Sequence, residues 1–191
     1  MRRIVMGVCG AAVLLGAWAI WAQAGARQSA VERGAYLVSI ASCNDCHTPW
    51  KLTEKGPEPD FSRLLSGHPQ GMKLPPPPAL PPGPWGAVAA LSMTAWAGPW
   101  GVSYTANLTP DDETGIGAWS EDNFIRAMRT GKHMGGGRDI LPPMPWDWVG
   151  KMTDEDLKAV FAYLKSIKPI KNQVPQPAPP APPVAPAKGA S

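Results

Sequence analysis

Apolar residues fall into four patterned stretches along this chain, separated by long stretches without a period. The first is the uncharged, largely apolar run Ile4 to Ala22, preceded by Met1-Arg2-Arg3. It ends on Ala22-Gln23-Ala24, an Ala-x-Ala site, so residues 1–24 read as an export signal with cleavage after Ala24. The run is also near the ~20 apolar residues that can cross a bilayer, and a retained N-terminal anchor is the competing reading. The second stretch opens with the capping box Ser29-Ala30-Val31-Glu32. It predicts a helix from Ala30 to Ala41 that turns Val31, Ala35, Val38 and Ile40, or their neighbours, to a core. Gly34 weakens that helix; it reads equally as a tolerated residue or as a place where another helix comes close. In the third stretch Ser120 caps a helix with Phe124, Ile125 and Met128 on its apolar side, and Gly131 ends it. The fourth is the clearest. After Thr153-Asp154-Glu155-Asp156, the residues Leu157, Val160, Phe161, Leu164 and Ile167 recur at helical spacing, with Lys158 and Lys165 outward and Pro169 as the stop.

Residues 50–110 show no such pattern. Lys55-Gly56-Pro57-Glu58-Pro59 reads as a surface turn, and Leu74 to Trp85 carries seven prolines in twelve residues, which predicts an extended polyproline II segment. Trp96, Trp100 and Tyr104 bracket Gly98-Pro99. Thr109-Pro110-Asp111 has the order of a capped helical turn. Asp111-Asp112-Glu113 lacks the alternating spacing and glycine of a calcium loop and reads as acids at a helix start. From Pro175 the chain is rich in Pro and Ala, so 175–191 reads as a disordered tail behind one domain spanning 29–174.

The chemistry lies just past the first predicted helix of that domain, at Cys43-Asn44-Asp45-Cys46-His47. Two cysteines with two residues between them and a histidine next describe a c-type haem attachment site. Thiols about one helical turn apart can each add across one vinyl group of a single porphyrin, and the histidine then gives the iron an imidazole nitrogen. A zinc site would want four ligands, and no second cysteine pair supplies them. A redox-active Cys-x-x-Cys would leave His47 unexplained. Of three cysteines, Cys9 lies in the leader and the other two belong to this motif, so no disulfide is expected.

A second candidate site is Ile140-Leu141-Pro142-Pro143-Met144-Pro145-Trp146. Prolines on both sides hold the backbone out of helix and sheet, and a thioether held in one direction suits the sixth position on haem iron. An ordinary core methionine is the plain alternative, and Met134, His133 and His68 are rival ligands. Arg126, Arg129 and Lys132 are either solvated or placed to neutralise haem propionates. The formal charge is +3, but without Arg2 and Arg3 there are 16 basic residues against 15 acidic ones. That balance offers no basic face for nucleic acid.

In this combination the residues resemble the cytochrome c family, monohaem type, over Ser29 to Val174. More narrowly, the chain is similar to the haem domains that serve bacterial alcohol, aldehyde and sugar-acid dehydrogenases. The similarity rests on Cys46-His47-Thr48-Pro49, Asn107-Leu108-Thr109-Pro110-Asp111, Gly115-Ile116-Gly117-Ala118-Trp119-Ser120, Pro143-Met144-Pro145 and Met152-Thr153-Asp154-Glu155-Asp156-Leu157. The resemblance implies an all-α cytochrome c fold, three main helices around one covalent haem c with long irregular Pro/Trp-rich loops. It also implies that the first and last helices cross near Gly34 and an aromatic. Several relatives in the family carry two or three haems, whereas this chain has one attachment motif.

With Cys43 and Cys46 as thioether anchors and His47 and Met144 as axial ligands, iron has no open position. The reading is an electron carrier rather than an enzyme. It is expected in the periplasm, with a dehydrogenase as donor and a cytochrome or terminal oxidase as acceptor, and membrane attachment if the leader is retained. A fixed subunit of a dehydrogenase complex is one competing role. A small haem peroxidase would need Met144 displaced, and a gas sensor would need an output domain that 191 residues do not hold.

Overall fold

The computed structural model describes residues 28–78, 84 and 86–180. The predicted leader, part of the proline-rich segment and the tail beyond Pro180 lie outside them. Helix α1 spans Ala30–Ile40, α2 Cys43–His47, α3 Glu121–Thr130, α4 Trp146–Val149 and α5 Asp154–Ser166. The predicted starts hold. Ser29, Ser120 and Thr153 each accept a hydrogen bond from the backbone N–H three residues on, and Ser29 and Ser120 complete full capping boxes. Gly131 ends α3 in the left-handed conformation.

Helices α1 and α5 cross in close contact, and Gly34 is the reason they can. A Cβ on Gly34 would fall on the carbonyl oxygen of Ala159 and 2.7 Å from Tyr163 Cβ. Arg33 Nε donates to Asp156 across the same crossing at 2.9 Å. The buried face of α1 is Gly34, Leu37 and Val38. Val31 and Ile40, expected in the core, are exposed, because the stripe is set by the residues stacked around Gly34. Leu37 and Val38 join Leu65, Ile116, Phe124, Ala127, Met128, Leu157, Val160, Phe161 and Leu164 in one apolar cluster. Phe124 of α3 and Phe161 of α5 meet with ring centroids 5.5 Å apart.

The fold class departs from expectation: it is mixed α and β rather than all-α. Strands β1 (Trp50–Thr53) and β2 (Gly56–Pro59) form an antiparallel hairpin where a surface turn was predicted. Strands β3 (Val88–Ala89), β4 (Ala95–Gly98) and β5 (Gly101–Tyr104) form a second antiparallel sheet in the order β3-β4-β5. Backbone groups in so long a connection need partners, and neighbouring segments satisfy one another as short ladders. The predicted helical turn starts two residues late, at Asp111 rather than Thr109: Gly115 N–H donates to the Asp111 carbonyl at 3.0 Å. The Thr109 hydroxyl donates to Asn107 at 2.7 Å, and Asp111 accepts from the N–H and hydroxyl of Thr114 at 2.8 and 2.6 Å. Asp111 thus caps the turn, while Asn107 holds the hydroxyl that would have capped it at Thr109. Past Pro175 the chain stays on the body as far as it is described, since Ala178 exchanges both backbone hydrogen bonds with Val102 at 2.9 Å.

Candidate functional site

The site begins where α1 stops. Ser42 takes a left-handed conformation (φ 56°), which breaks the helix and lets α2 restart in a new direction. Cys43 and Cys46 are three residues apart on α2, so their side chains are neighbours on the helix surface. Both are free cysteines. Burial pushes the Cys43 thiol up to about 11. Burial, and then the Asp45 charge, raise Cys46 as well. At neutral pH both are therefore protonated thiols rather than ready metal-binding thiolates.

His47 ends α2 and is buried. Its Nδ1 lies 2.8 Å from the carbonyl oxygen of Ala106. A carbonyl only accepts, so Nδ1 carries the proton and Nε2 keeps its lone pair. Burial holds the imidazole pKa below its ordinary value, although the Ala106 bond pulls it the other way. The result is a neutral, oriented imidazole with one nitrogen free, the arrangement that metal-ligating histidines share.

Several segments fix that orientation. Gly67 donates to the His47 carbonyl at 2.8 Å, and Gly67 lies so near the next strand exit that a Cβ would reach 2.6 Å from the Ala106 carbonyl. Asn107, next to Ala106, donates to the Ile170 carbonyl at 2.8 Å. Asn172 is buried, and its side chain is fully used. It accepts from Arg63 Nη2 and Gln70 N at 3.0 and 2.9 Å and donates to the carbonyls of Ser66 and His68 at 2.7 and 2.9 Å. The chain after α5 thus ties the 63–70 loop to the 106–109 loop, around His47. Sequence reasoning did not find Asn172, which carries no local signature.

Met144 is half buried against the same apolar cluster that Cys43 meets, together with Trp119 and Ile140. Of its rivals, Met134 is exposed, at a left-handed residue of a short 3-10 turn. His133 stands edge-on to Trp119 with ring centroids 5.0 Å apart. His68 is fully buried with both ring nitrogens engaged, Nδ1 with Thr94 Oγ1 at 3.0 Å and Nε2 with the Met72 carbonyl at 3.2 Å. Arg129 is bonded to the Gly150 carbonyl and to Asp154, and Lys132 to Asp139 at 2.5 Å, whereas Arg126 is exposed. Among the described residues, three buried side-chain atoms that can donate have no partner: Trp50 Nε1, Arg63 Nε and Ser66 Oγ. Among the described residues no cluster of three or more His, Cys, Asp or Glu could hold a bare metal ion.

These features fit haem. An oriented imidazole with a free Nε2 suits iron, two neutral thiols suit the vinyl groups, and unpartnered buried donors suit carboxylate acceptors.

No protein-family model matches the chain. Curated relatives do. The chain is 43% identical over 77 residues, 40% of its length, to one of the subunits of nicotinate dehydrogenase from Pseudomonas putida, of which that match covers 6%. It is 29% identical over 158 residues, 80% of its length, to the fructose dehydrogenase cytochrome subunit of Gluconobacter japonicus. It is 30% identical over 146 residues, 76% of its length, to the gluconate 2-dehydrogenase cytochrome c subunit of Pantoea cypripedii. The chain spans 25% of the length of each of these two cytochrome subunits. The chain is thus similar to cytochrome c subunits of bacterial dehydrogenases, as its motifs suggested. Among the described residues, no helix is long and apolar enough to cross a membrane.

Proposed function

We propose that this chain is an electron-transfer unit carrying one haem c, joined through thioethers at Cys43 and Cys46 and ligated by His47 and Met144. The haem iron supplies a one-electron change of oxidation state, and the protein sets its potential and exposure. The observation that carries the reading is His47: buried, protonated at Nδ1 by its bond to Ala106, and open at Nε2. Cys43 and Met144 both pack against one apolar cluster that includes Leu65 and Ile116. Met144, placed among prolines, would be the second protein ligand to that iron and would leave no position for substrate, so the chain relays electrons and does not itself catalyse. The relatives support a dehydrogenase as donor. A cytochrome or terminal oxidase accepts, and the leader at 1–24 directs the chain to the periplasm.

A fixed place in a dehydrogenase complex is the second reading, favoured because the relatives are named as subunits. Copurification with a large catalytic chain separates that role from a free shuttle. The test of the site is the visible spectrum of the purified holoprotein, oxidised and reduced. A long-wavelength band from methionine sulfur on ferric iron, abolished in Met144→Ala, supports the closed site. High-spin iron, or a spectrum indifferent to Met144→Ala, removes Met144 from the iron and brings a peroxidase-like open site forward.

A further inference from the structure

The loop that carries Met144 is poor in bonds of its own. Pro142, Pro143 and Pro145 have no N–H to donate, Ile140 donates to the Gly131 carbonyl at 2.8 Å, and Met144 donates to Leu141 at 3.3 Å. Its proline segment is reached by a short side-chain bond from β5. Ser103, on β5 and 7% exposed, donates its hydroxyl to the Pro142 carbonyl at 2.6 Å. A serine hydroxyl has a single proton, so where it points matters. Trp100 Nε1 lies 3.2 Å from the same oxygen and can only donate. It occupies a lone pair of Ser103 Oγ and leaves the proton for Pro142. The competing acceptor, the Trp96 carbonyl, is more distant at 3.4 Å.

Strand β5 is itself held on both edges. β4 pairs with it on one side, and Ala178 bonds to Val102, the residue before Ser103, on the other. Three residues beyond Ser103, the Ala106 carbonyl holds the His47 ring. The stretch from Ser103 to Ala106 therefore reaches both candidate axial ligands, the histidine directly and the methionine loop through Pro142.

We infer that Ser103, oriented by Trp100, is the positioning residue that holds the Met144 loop at the iron. The inference rests on the axial role proposed for Met144. Ser103 acts through the backbone: it fixes the Pro142 carbonyl, two residues before Met144. Losing the bond frees the loop without removing the ligand. Methionine sulfur binds ferric iron weakly enough that such freedom registers first in the sulfur–iron band.

The experiment compares the wild-type holoprotein with Ser103→Ala, Ser103→Thr and Trp100→Phe. The methionine band and the helical circular dichroism are followed together as temperature rises, and the reduction potential is measured for each. In Ser103→Ala the band is expected to fade well before the helices melt, with a lower potential. Ser103→Thr, which keeps a hydroxyl, should restore both, and Trp100→Phe should give an intermediate loss. Should the wild type show the band and Ser103→Ala keep it through the same range at the same potential, the positioning role is overturned while Met144 ligation stands. Should the wild type lack the band, or Met144→Ala leave it intact, both readings fail. A Ser103→Ala variant that loses band and helices together would mark Ser103 as a general stability residue and overturn the inference.

Discussion

His47 hangs from the carbonyl of Ala106, 59 residues further along the chain, through a 2.8 Å hydrogen bond. The candidate ligand's orientation is therefore no property of its own helix. It depends on the loop bearing Ala106, which Asn107 ties to Ile170, and on the 63–70 loop, which Asn172 ties to the same C-terminal segment.

Asn172→Ala should consequently be costly although it lies outside every helix. It would leave the carbonyls of Ser66 and His68 and the donors on Arg63 and Gln70 without a partner. Buried polar groups stripped of a partner are expensive, so we expect a loss of about 3 kcal/mol in denaturant unfolding of the holoprotein. A loss below ~0.5 kcal/mol would show that water replaces the amide without strain.

Gly34→Ala sets two effects of opposite sign against each other. Alanine favours helix over glycine by about 1 kcal/mol. The added methyl would fall on the Ala159 carbonyl oxygen and crowd Tyr163 Cβ, both on α5. Overpacking a close crossing costs about 1–3 kcal/mol, and backbone on the far side yields little. Net destabilisation is expected in thermal unfolding; a raised melting temperature would mean that the helices separate easily at this point.

What could be read from the sequence was local. Ser29, Ser120 and Thr153 announced α1, α3 and α5 because a cap and an apolar period lie within one continuous stretch, and Cys43, Cys46 and His47 share a single motif. The sheets were hidden for a physical reason. Strands of two to four residues are too short for alternation to register, and β2 contains Pro57 and Pro59, residues that argue against a strand. Thr109-Pro110 announced a helical turn two residues early, because Asn107 took the Thr109 hydroxyl and Asp111 became the cap instead. Asn107 and Asn172 are 65 residues apart, and nothing in either neighbourhood announces that they meet.

The Arg33–Asp156 pair across α1 and α5 gives a pH signature in acid. The hydrogen bond from Arg33 holds the Asp156 carboxyl below its ordinary range. A depressed carboxylate contributes stability that is present above its unfolded value, about 3.9, and is lost as pH falls through the lower folded value. Wild type should therefore exceed Asp156→Asn in melting temperature by a constant margin from neutrality down to about pH 5, the margin closing below about pH 4. Both groups are partly exposed, so the margin is small and shrinks with salt. A margin that persists unchanged to the lowest pH would assign the effect to something other than the charge.

His68 gives a signature of the same sign nearer neutrality. It is fully buried against Thr94 and Tyr104, and burial lowers its pKa more than the Met72 carbonyl raises it. The folded ring takes up a proton less readily than the unfolded chain, where it does so near pH 6.5. Below that value the unfolded state binds more protons, so stability falls as pH drops and recovers as pH rises. His68→Gln should cost stability at every pH, because it disturbs a packed and hydrogen-bonded position. It should also flatten the decline between about pH 7 and pH 5 seen in denaturant unfolding of the wild-type holoprotein. His133, likewise lowered by burial, titrates in the same direction, so the slope shrinks without vanishing. An unchanged slope in His68→Gln would mean that the ring already takes a proton in the folded state. The 0% exposure of His68 and its contact with the Met72 carbonyl would then have to open at mildly acid pH.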